Sequence, residues 1–222
     1  MQDAKKQFTG EENHAITTTE ALTFIKQFRE HYGPEAAPGV FFDKQAVQAI
    51  LAQPEAVGLR YYYGTDLFDQ TQLVLVGAKA NRNDLLEGEP LKISMMNPPL
   101  NERGLYNREE VNHEISLNEA SQLTARFQEN LLLGQPKGGF FGKQAMQRLL
   151  NHAECVGLRF FYGAHRDGKR AVVGMCVDKF GVEMFHGPAI DLSGSCPPYC
   201  GSANLLNHSI SAKYKTKMDF VA

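Results

Sequence analysis

The chain has 222 residues, 43% of them hydrophobic, which is enough to bury one sizeable core or two small ones. Its 23 lysines and arginines nearly balance its 25 aspartates and glutamates, so no overall field attracts it to nucleic acid or to an anionic membrane. No segment reaches the roughly 18 apolar residues that span a bilayer, so membrane insertion is not expected. The polar start and the four cysteines favour a cytoplasmic protein over a secreted, disulfide-stapled one.

The sequence contains an internal repeat. Residues 16–64 align without a gap with residues 115–163, and 20 of the 49 aligned pairs are identical. Identity at this level predicts a tandem duplication. Beyond it, the match of Val76-Gly77 with Val173-Gly174 predicts a hairpin loop that is two residues shorter in the second copy. The predicted divisions are a polar leader (1–15), copy 1 (16–101), a linker (102–114), copy 2 (115–200) and a C-terminal tail (201–222).

Each copy is predicted to begin with two helices. Capping-box sequences at 17–20 and 116–119 mark the first helix, because a hydroxyl and a carboxylate there satisfy free N–H groups at a helix start. Apolar residues follow with helical spacing from Ala21 to Phe28, and the same face recurs from Ala120 to Phe127. A second, shorter helix is predicted at about 43–53, with a counterpart in copy 2.

Two strands complete the predicted unit. The aromatic segment 58–63 and the apolar segment 72–76 indicate a β-hairpin, and Asp167-Gly168 is a strong turn signal in copy 2. The predicted fold is therefore α+β, a tandem duplication of a helix-helix-strand-strand unit packed as a pseudo-twofold pair. Four residues are predicted to be buried in its core: Phe41, Leu59, Phe140 and Leu158.

Three segments of copy 2 carry a resemblance: Phe140-Phe-Gly-Lys143, Gly157-Leu-Arg-Phe-Phe-Tyr-Gly163 and Cys196-Pro-Pro-Tyr-Cys200. Together they resemble small uncharacterised bacterial proteins that look like single copies of this unit with a Cys-Pro-Pro-x-Cys tail. The resemblance covers most of both copies, although only copy 2 has both cysteines. It implies neither a catalytic residue nor a substrate.

The two cysteines near the C-terminus are the most specific chemical motif in the sequence. Cys196 and Cys200, with His186 and His208, supply four ligands of the types that structural zinc prefers. Their spacing differs from the Cys-x-x-Cys of zinc knuckles and redox motifs, so a disulfide or two inert thiols is favoured over zinc, and no other cofactor is expected. Copy 1 has asparagines at the equivalent positions 97 and 101 around the same Pro-Pro pair. We therefore expect a rigid turn that folds without the thiols.

Seven further residues are candidate ligand or interface residues: Lys44, Arg60, Tyr62, Lys143, Arg159, Phe161 and His165. The cations are compatible with an anion site, but no Gly-rich phosphate loop accompanies them, so salt bridges and packed stems are the favoured interpretation. The aromatic residues are compatible with a stacking or interface surface, although strand alternation exposes only some of them. A lone loop histidine is most often solvent-exposed.

These observations favour a non-enzymatic protein-interaction module, a pseudo-dimer whose seam or aromatic face contacts another protein. Duplication covers sheet and helix faces in the way that a homodimer does. One alternative is a small-molecule-binding protein or enzyme with a site between the two copies. The other is a zinc-stabilised or thiol-sensing protein that uses Cys196 and Cys200. The oligomeric state stays open.

Overall fold

A computed structural model describes residues 7–34, 36, 38–87, 91–132, 134–191 and 194–207, and these residues form a mixed α+β fold, as predicted. We call residues up to 101 the first half and residues from 102 the second half. The first half contains β1 (Ala15–Ile16), α1 (Thr18–Tyr32), β2 (Gly39–Asp43), α2 (Lys44–Leu51), β3 (Gly58–Thr65), β4 (Thr71–Ala78), β5 (Asp84–Leu85) and β6 (Leu91–Ile93). The second half contains β7 (Glu114–Ile115), α3 (Leu117–Glu129), β8 (Gly138–Gly142), α4 (Lys143–Leu150), β9 (Gly157–Ala164), β10 (Arg170–Val177), β11 (Ala189–Ile190) and β12 (Gly194–Cys196). Within the described ranges, no helix is both long enough and apolar enough to cross a bilayer.

Both predicted capping boxes are present at the starts of the long helices. The Thr17 side chain accepts a hydrogen bond from the Glu20 N–H, and the Glu20 carboxylate accepts one from the Thr17 N–H. Ser116 and Glu119 make the same reciprocal pair at the start of α3. These contacts satisfy N–H groups that a helix start leaves without partners, which is why the local sequence predicts them well.

The predicted order of helix, helix, strand and strand is wrong, because a strand precedes each short helix. These strands are β2 and β8, which contain the Phe-Phe pairs, and all five residues of each are buried. A short strand that is buried on both sides lacks the alternation by which strands are recognised. The first half has further short strands at β1, β5 and β6, which the sequence prediction also lacks.

The two long hairpins, β3–β4 and β9–β10, have loops of equal length. Their end pairs are Gly58–Ala78 and Thr65–Thr71 in the first hairpin, and Gly157–Val177 and Ala164–Arg170 in the second. Every position of one hairpin corresponds to a position 99 residues later in the other. The predicted two-residue difference between the loops is therefore wrong, and the match of Val76-Gly77 with Val173-Gly174 does not reflect equivalent positions.

The two halves exchange strands. Sheet I has the order β1-β11-β10-β9-β2, and sheet II has the order β12-β8-β3-β4-β6-β7, with β5 paired to β4. Consequently β2 of the first half pairs with β9 of the second, and β8 of the second half pairs with β3 of the first. In this register Phe41 lies opposite Arg159, and Arg60 lies opposite Phe140. Each sheet therefore depends on both halves of the chain.

The inner faces of the two sheets enclose one aromatic core. Tyr63 donates a hydrogen bond across it to the carbonyl of Ala171 at 3.2 Å, and Tyr162 donates one to the carbonyl of Thr71 at 2.9 Å. Helix α1 covers the outer face of sheet I, and α3 covers the outer face of sheet II. The predicted burial of Phe41, Leu59, Phe140 and Leu158 is confirmed, since all four have no exposed surface.

Segments predicted to lie outside the two copies also pack into this body. Within the predicted leader, Phe8 stacks on Phe140 with ring centroids 3.6 Å apart, and His14 is buried. Within the predicted tail, Leu206 is buried against Tyr62. The described parts of the leader and tail are thus structural parts of the fold.

Candidate functional site

Arg60 lies on β3 and is completely buried. Its guanidinium donates to three acceptors: the carboxylate of Asp84 (2.8 Å), the carbonyl of Tyr199 (3.0 Å) and the carbonyl of Arg82 (2.9 Å). Tyr62 donates its hydroxyl to the second carboxylate oxygen of Asp84 at 2.7 Å. The charge of Arg60 is therefore balanced, and its donors are occupied within the chain.

Arg159 on β9 makes the corresponding contacts in the other sheet. It pairs with Glu183 at 3.1 Å, and it also donates to the carbonyl of Met96 and to the side chain of Asn97. Each arginine thus binds the Pro-Pro turn of the opposite half, because Arg60 contacts Tyr199 and Arg159 contacts Asn97. The salt-bridge interpretation of these two arginines is confirmed, and neither is available as an anion ligand.

The other predicted site residues do not converge. Lys44 and Lys143 begin α2 and α4 and are half-buried. Tyr62 is covered by α3 and Phe161 by α1, so these two rings are buried beneath helices and do not form an exposed aromatic surface. His165 lies in the turn between β9 and β10, half-buried, with its ring edge-on to Phe24.

Cys196 and Cys200 form a disulfide, which agrees with one of the two favoured sequence interpretations. Zinc ligation by these residues requires free thiolates, so it requires this bond to be reduced. His186 is exposed, and His208 lies outside the described residues. Across the described part of the chain, no three His, Cys, Asp or Glu side chains are grouped so as to hold a metal ion.

We expect replacement of Cys196 and Cys200 by serine to lower stability by about 2 kcal/mol, the loop-closure contribution of so short a loop, or about 4–8 °C in melting temperature. The fold should persist, because the prolines and the Arg60 contact to Tyr199 still hold the turn. Thermal melting of the parent and the variant, with a zinc assay of both, measures this. Stoichiometric zinc in the parent and an unfolded variant would contradict it.

Two buried histidines that the sequence prediction missed form hydrogen bonds between the two halves of the chain, beside the exchanged strands. His113 accepts a hydrogen bond from the N–H of Asp43 at 2.9 Å, and its other ring nitrogen contacts the carbonyl of Ile93 at 2.7 Å. His14 accepts a hydrogen bond from the N–H of Gly142 at 2.9 Å. The two histidines are 99 residues apart, and so are their partners. Extending the sequence alignment upstream, where Asn-His-x-Ile occurs at both 13–16 and 112–115, would have found them.

Burial lowers the pKa of His14 from 6.5 to about 4, so the folded state holds this ring neutral. The unfolded chain binds the proton near pH 6.5, whereas the folded chain binds it only near pH 4. The folded state is therefore fully stable with respect to this group above pH 6.5, and it loses that stability as the pH falls from 6.5 to 4. We expect a loss of about 3 kcal/mol from this group. Urea unfolding at pH 7.5 and 4.5 measures it. In His14→Asn, the free energy of unfolding should differ less between pH 7.5 and pH 4.5 than it does in the parent protein. An equal difference in the two proteins would contradict the assignment of this pH dependence to His14.

Four exposed apolar side chains form what we call the apolar surface: Met96, Leu100, Phe180 and Val182. Their exposed fractions lie between 38% and 54%. Gly181 lies against this group, because a Cβ built there would be 3.3 Å from both Leu100 and Pro98. Their counterparts 99 residues away are Ser195, Tyr199, Asn81 and Asn83. The apolar character is therefore confined to one of the two sets of positions that the 99-residue offset relates.

Comparison of the chain with protein-family models, curated proteins and solved structures finds no match.

Proposed function

We propose that the chain is a tandem duplication whose two copies form a fused pseudo-dimer, and that it is a non-enzymatic module that binds another protein through the apolar surface. The duplication is supported by the 49-residue alignment. It is also supported by the similar contacts that Arg60 and Arg159 each make with a carboxylate, and that His14 and His113 each make with a backbone N–H of the other half. The binding role rests on one observation, the exposed apolar side chains on adjoining loops.

The fold does not require these four positions to be apolar, since their counterparts are polar or, at Tyr199, carry a hydroxyl. Single exposed apolar residues are ordinary, but a group that adjoins on two loops is typical of an interaction site. The loop that carries Phe180 and Val182 is held by the Asp178 carboxylate, which accepts hydrogen bonds from both backbone N–H groups at 2.8 and 3.0 Å. The surface is thus pre-formed, which lowers the ordering cost of binding.

The size of the surface indicates what kind of partner fits. Burying the exposed parts of four such side chains contributes on the order of 4 kcal/mol before the costs of association. That is too little for a stable complex by itself. The partner is therefore a different protein with an apolar segment that also contacts the surrounding loops, in a reversible complex.

Site-specific photo-crosslinking tests this proposal. A benzophenone amino acid replaces Phe180 in one variant and its polar counterpart Asn81 in the other, and both are expressed in cells of the source organism. We expect one discrete adduct from position 180 and none from position 81. Leu100→Glu, added to the first variant, should abolish the adduct by placing a charge in the contact.

Equal adducts from both positions, or none from position 180, would contradict the proposal. An adduct at twice the mass of the chain would replace the partner protein by a second copy and would also overturn it. An adduct that survives Leu100→Glu would place the contact outside the apolar surface.

A further inference from the structure

Arg170 lies between the two halves, where the alternative drawn from the sequence places a small-molecule site, and it is remote from the residues of the apolar surface that the proposed function uses. It begins β10 of sheet I, and its guanidinium lies 4.1 Å from the ring centroid of Tyr32. Three more rings surround it, those of Phe28, Tyr63 and Phe127, at 5.5–6.0 Å. These rings belong to α1, β3 and α3. The aromatic groups therefore fix the planar face of the guanidinium and leave its N–H donors at the edge.

The donors of this guanidinium have no acceptor among the residues that the structure describes, and it forms no ion pair with them. Arg60 and Arg159 differ in this respect, because each is paired with a carboxylate and donates to two further oxygens. A half-buried guanidinium with five donors favours an oxyanion as its partner. Arg170 is thus a half-buried cation without a carboxylate partner among the described residues, as is the buried Arg82, whose guanidinium lies over the rings of Phe8 and Tyr199.

Arg170 lines a cavity of about 230 Å³ at this junction. Tyr32, Phe127 and Leu131 supply apolar walls, while Thr71 and Gln135 supply polar groups. Of the described residues that line it, none is a carboxylate and none besides Arg170 is charged. Arg170 also lines a second cavity of about 350 Å³, together with His165, Lys169 and Ser195. In that cavity Lys169 is paired with Asp167 at the surface, where such a pair contributes little.

We propose that the 230 Å³ cavity binds a small organic anion, with its carboxylate or phosphate group on the guanidinium of Arg170. Guanidinium and oxyanion match in a bidentate geometry, and partial burial strengthens the attraction. The cavity is smaller than the roughly 300 Å³ at which drug-sized sites begin, so the apolar body of the ligand is about one ring in size. That body packs against Tyr32, Phe127 and Leu131.

The other hairpin provides an internal control for this assignment. The position that pairs with Ala164 in the second hairpin is Arg170, and the corresponding position in the first hairpin is Thr71. The hairpin geometry is therefore compatible with threonine. Arg170→Thr removes the proposed ligand contact while it installs a residue that the same strand position already accepts.

Calorimetric titration of the full chain with benzoate, phenyl phosphate and inorganic phosphate tests the proposal, with benzamide as the neutral control. We expect benzoate or phenyl phosphate to bind at millimolar concentration or better, and the stronger of the two identifies the anionic group. Inorganic phosphate should bind more weakly than phenyl phosphate, because it lacks the apolar body. Arg170→Thr should weaken binding at least tenfold.

A second variant covers the case in which Arg170→Thr reduces stability. Leu132 lines the same cavity and is mostly exposed, so Leu132→Glu should fold normally and weaken anion binding several-fold by repulsion. The proposal is overturned if neither benzoate nor phenyl phosphate binds the parent protein. Equal binding of benzoate and benzamide, or unchanged affinity in both variants, would overturn it as well.

Discussion

Replacement of Arg60 by methionine is expected to lower the free energy of unfolding by about 3–5 kcal/mol. The substitution leaves the Asp84 carboxylate buried without its cation, and removal of one member of a buried ion pair has a cost of this size. It also removes the donors to the carbonyls of Arg82 and Tyr199. Urea unfolding followed by circular dichroism measures the difference, provided that the slope against denaturant is unchanged.

Three control variants test whether the loss of stability in Arg60→Met comes from the buried ion pair and not merely from the removal of a positive charge. Lys26→Met removes a cation whose side chain is 78% exposed in an exposed ion pair, and it should cost under about 1 kcal/mol. Arg159→Met should cost less than Arg60→Met, because the Glu183 side chain retains 23% exposure and can be hydrated. Adding Asp84→Leu to Arg60→Met should recover part of the loss. Equal costs for Arg60→Met and Lys26→Met would contradict the buried pair.

Phe140→Ala is expected to cost about 3–5 kcal/mol, the range found for truncation of a buried phenylalanine. Its ring stacks on Phe8 and lies over Gly58, where even a Cβ would be 2.6 Å from the Phe140 ring. Because the neighbouring backbone is fixed by sheet II, the structure has little scope to close the cavity. Chemical denaturation of the variant measures the loss.

Two further variants serve as controls for this prediction: Phe41→Ala truncates another buried ring, and Phe68→Ala truncates an exposed one. Phe41 lies over Gly157 in sheet I as Phe140 lies over Gly58 in sheet II, so its truncation should cost a similar amount. Phe68, at 83% exposure in the β3–β4 turn, should change stability by no more than about 0.5 kcal/mol. A loss under about 1 kcal/mol for Phe140→Ala would place that ring at the surface and contradict the described packing.

The sequence predicts the parts of the fold that local chemistry decides. The helix starts at Thr17 and Ser116 follow from capping boxes, and the second hairpin follows from Asp167-Gly168, whose glycine adopts a φ of 78°. Strand exchange is a different case. Gly58-Leu-Arg60 and Gly157-Leu-Arg159 are identical in sequence, so β2 meets the same three residues whether it pairs within its own half or with the other. Only long-range packing separates the two arrangements.

The candidate site shows the same division between local and long-range information. The charges of Arg60 and Arg159 are evident in the repeat, but their partners Asp84 and Glu183 lie beyond the aligned segment. Coverage of Phe161 by α1 depends on tertiary packing, which strand alternation does not specify. The composition favoured a cytoplasmic protein, whereas the Cys196–Cys200 disulfide is of a kind that persists in oxidising compartments. The location stays a prediction.

The two halves form one intertwined body through exchanged strands. Backbone nuclear Overhauser contacts between paired strands test it most directly, since they identify which residues lie opposite one another. With exchanged strands, we expect contacts between Phe41 and Arg159 and between Arg60 and Phe140. Contacts between Phe41 and Arg60, and between Phe140 and Arg159, would show that each half pairs its own strands and would contradict it.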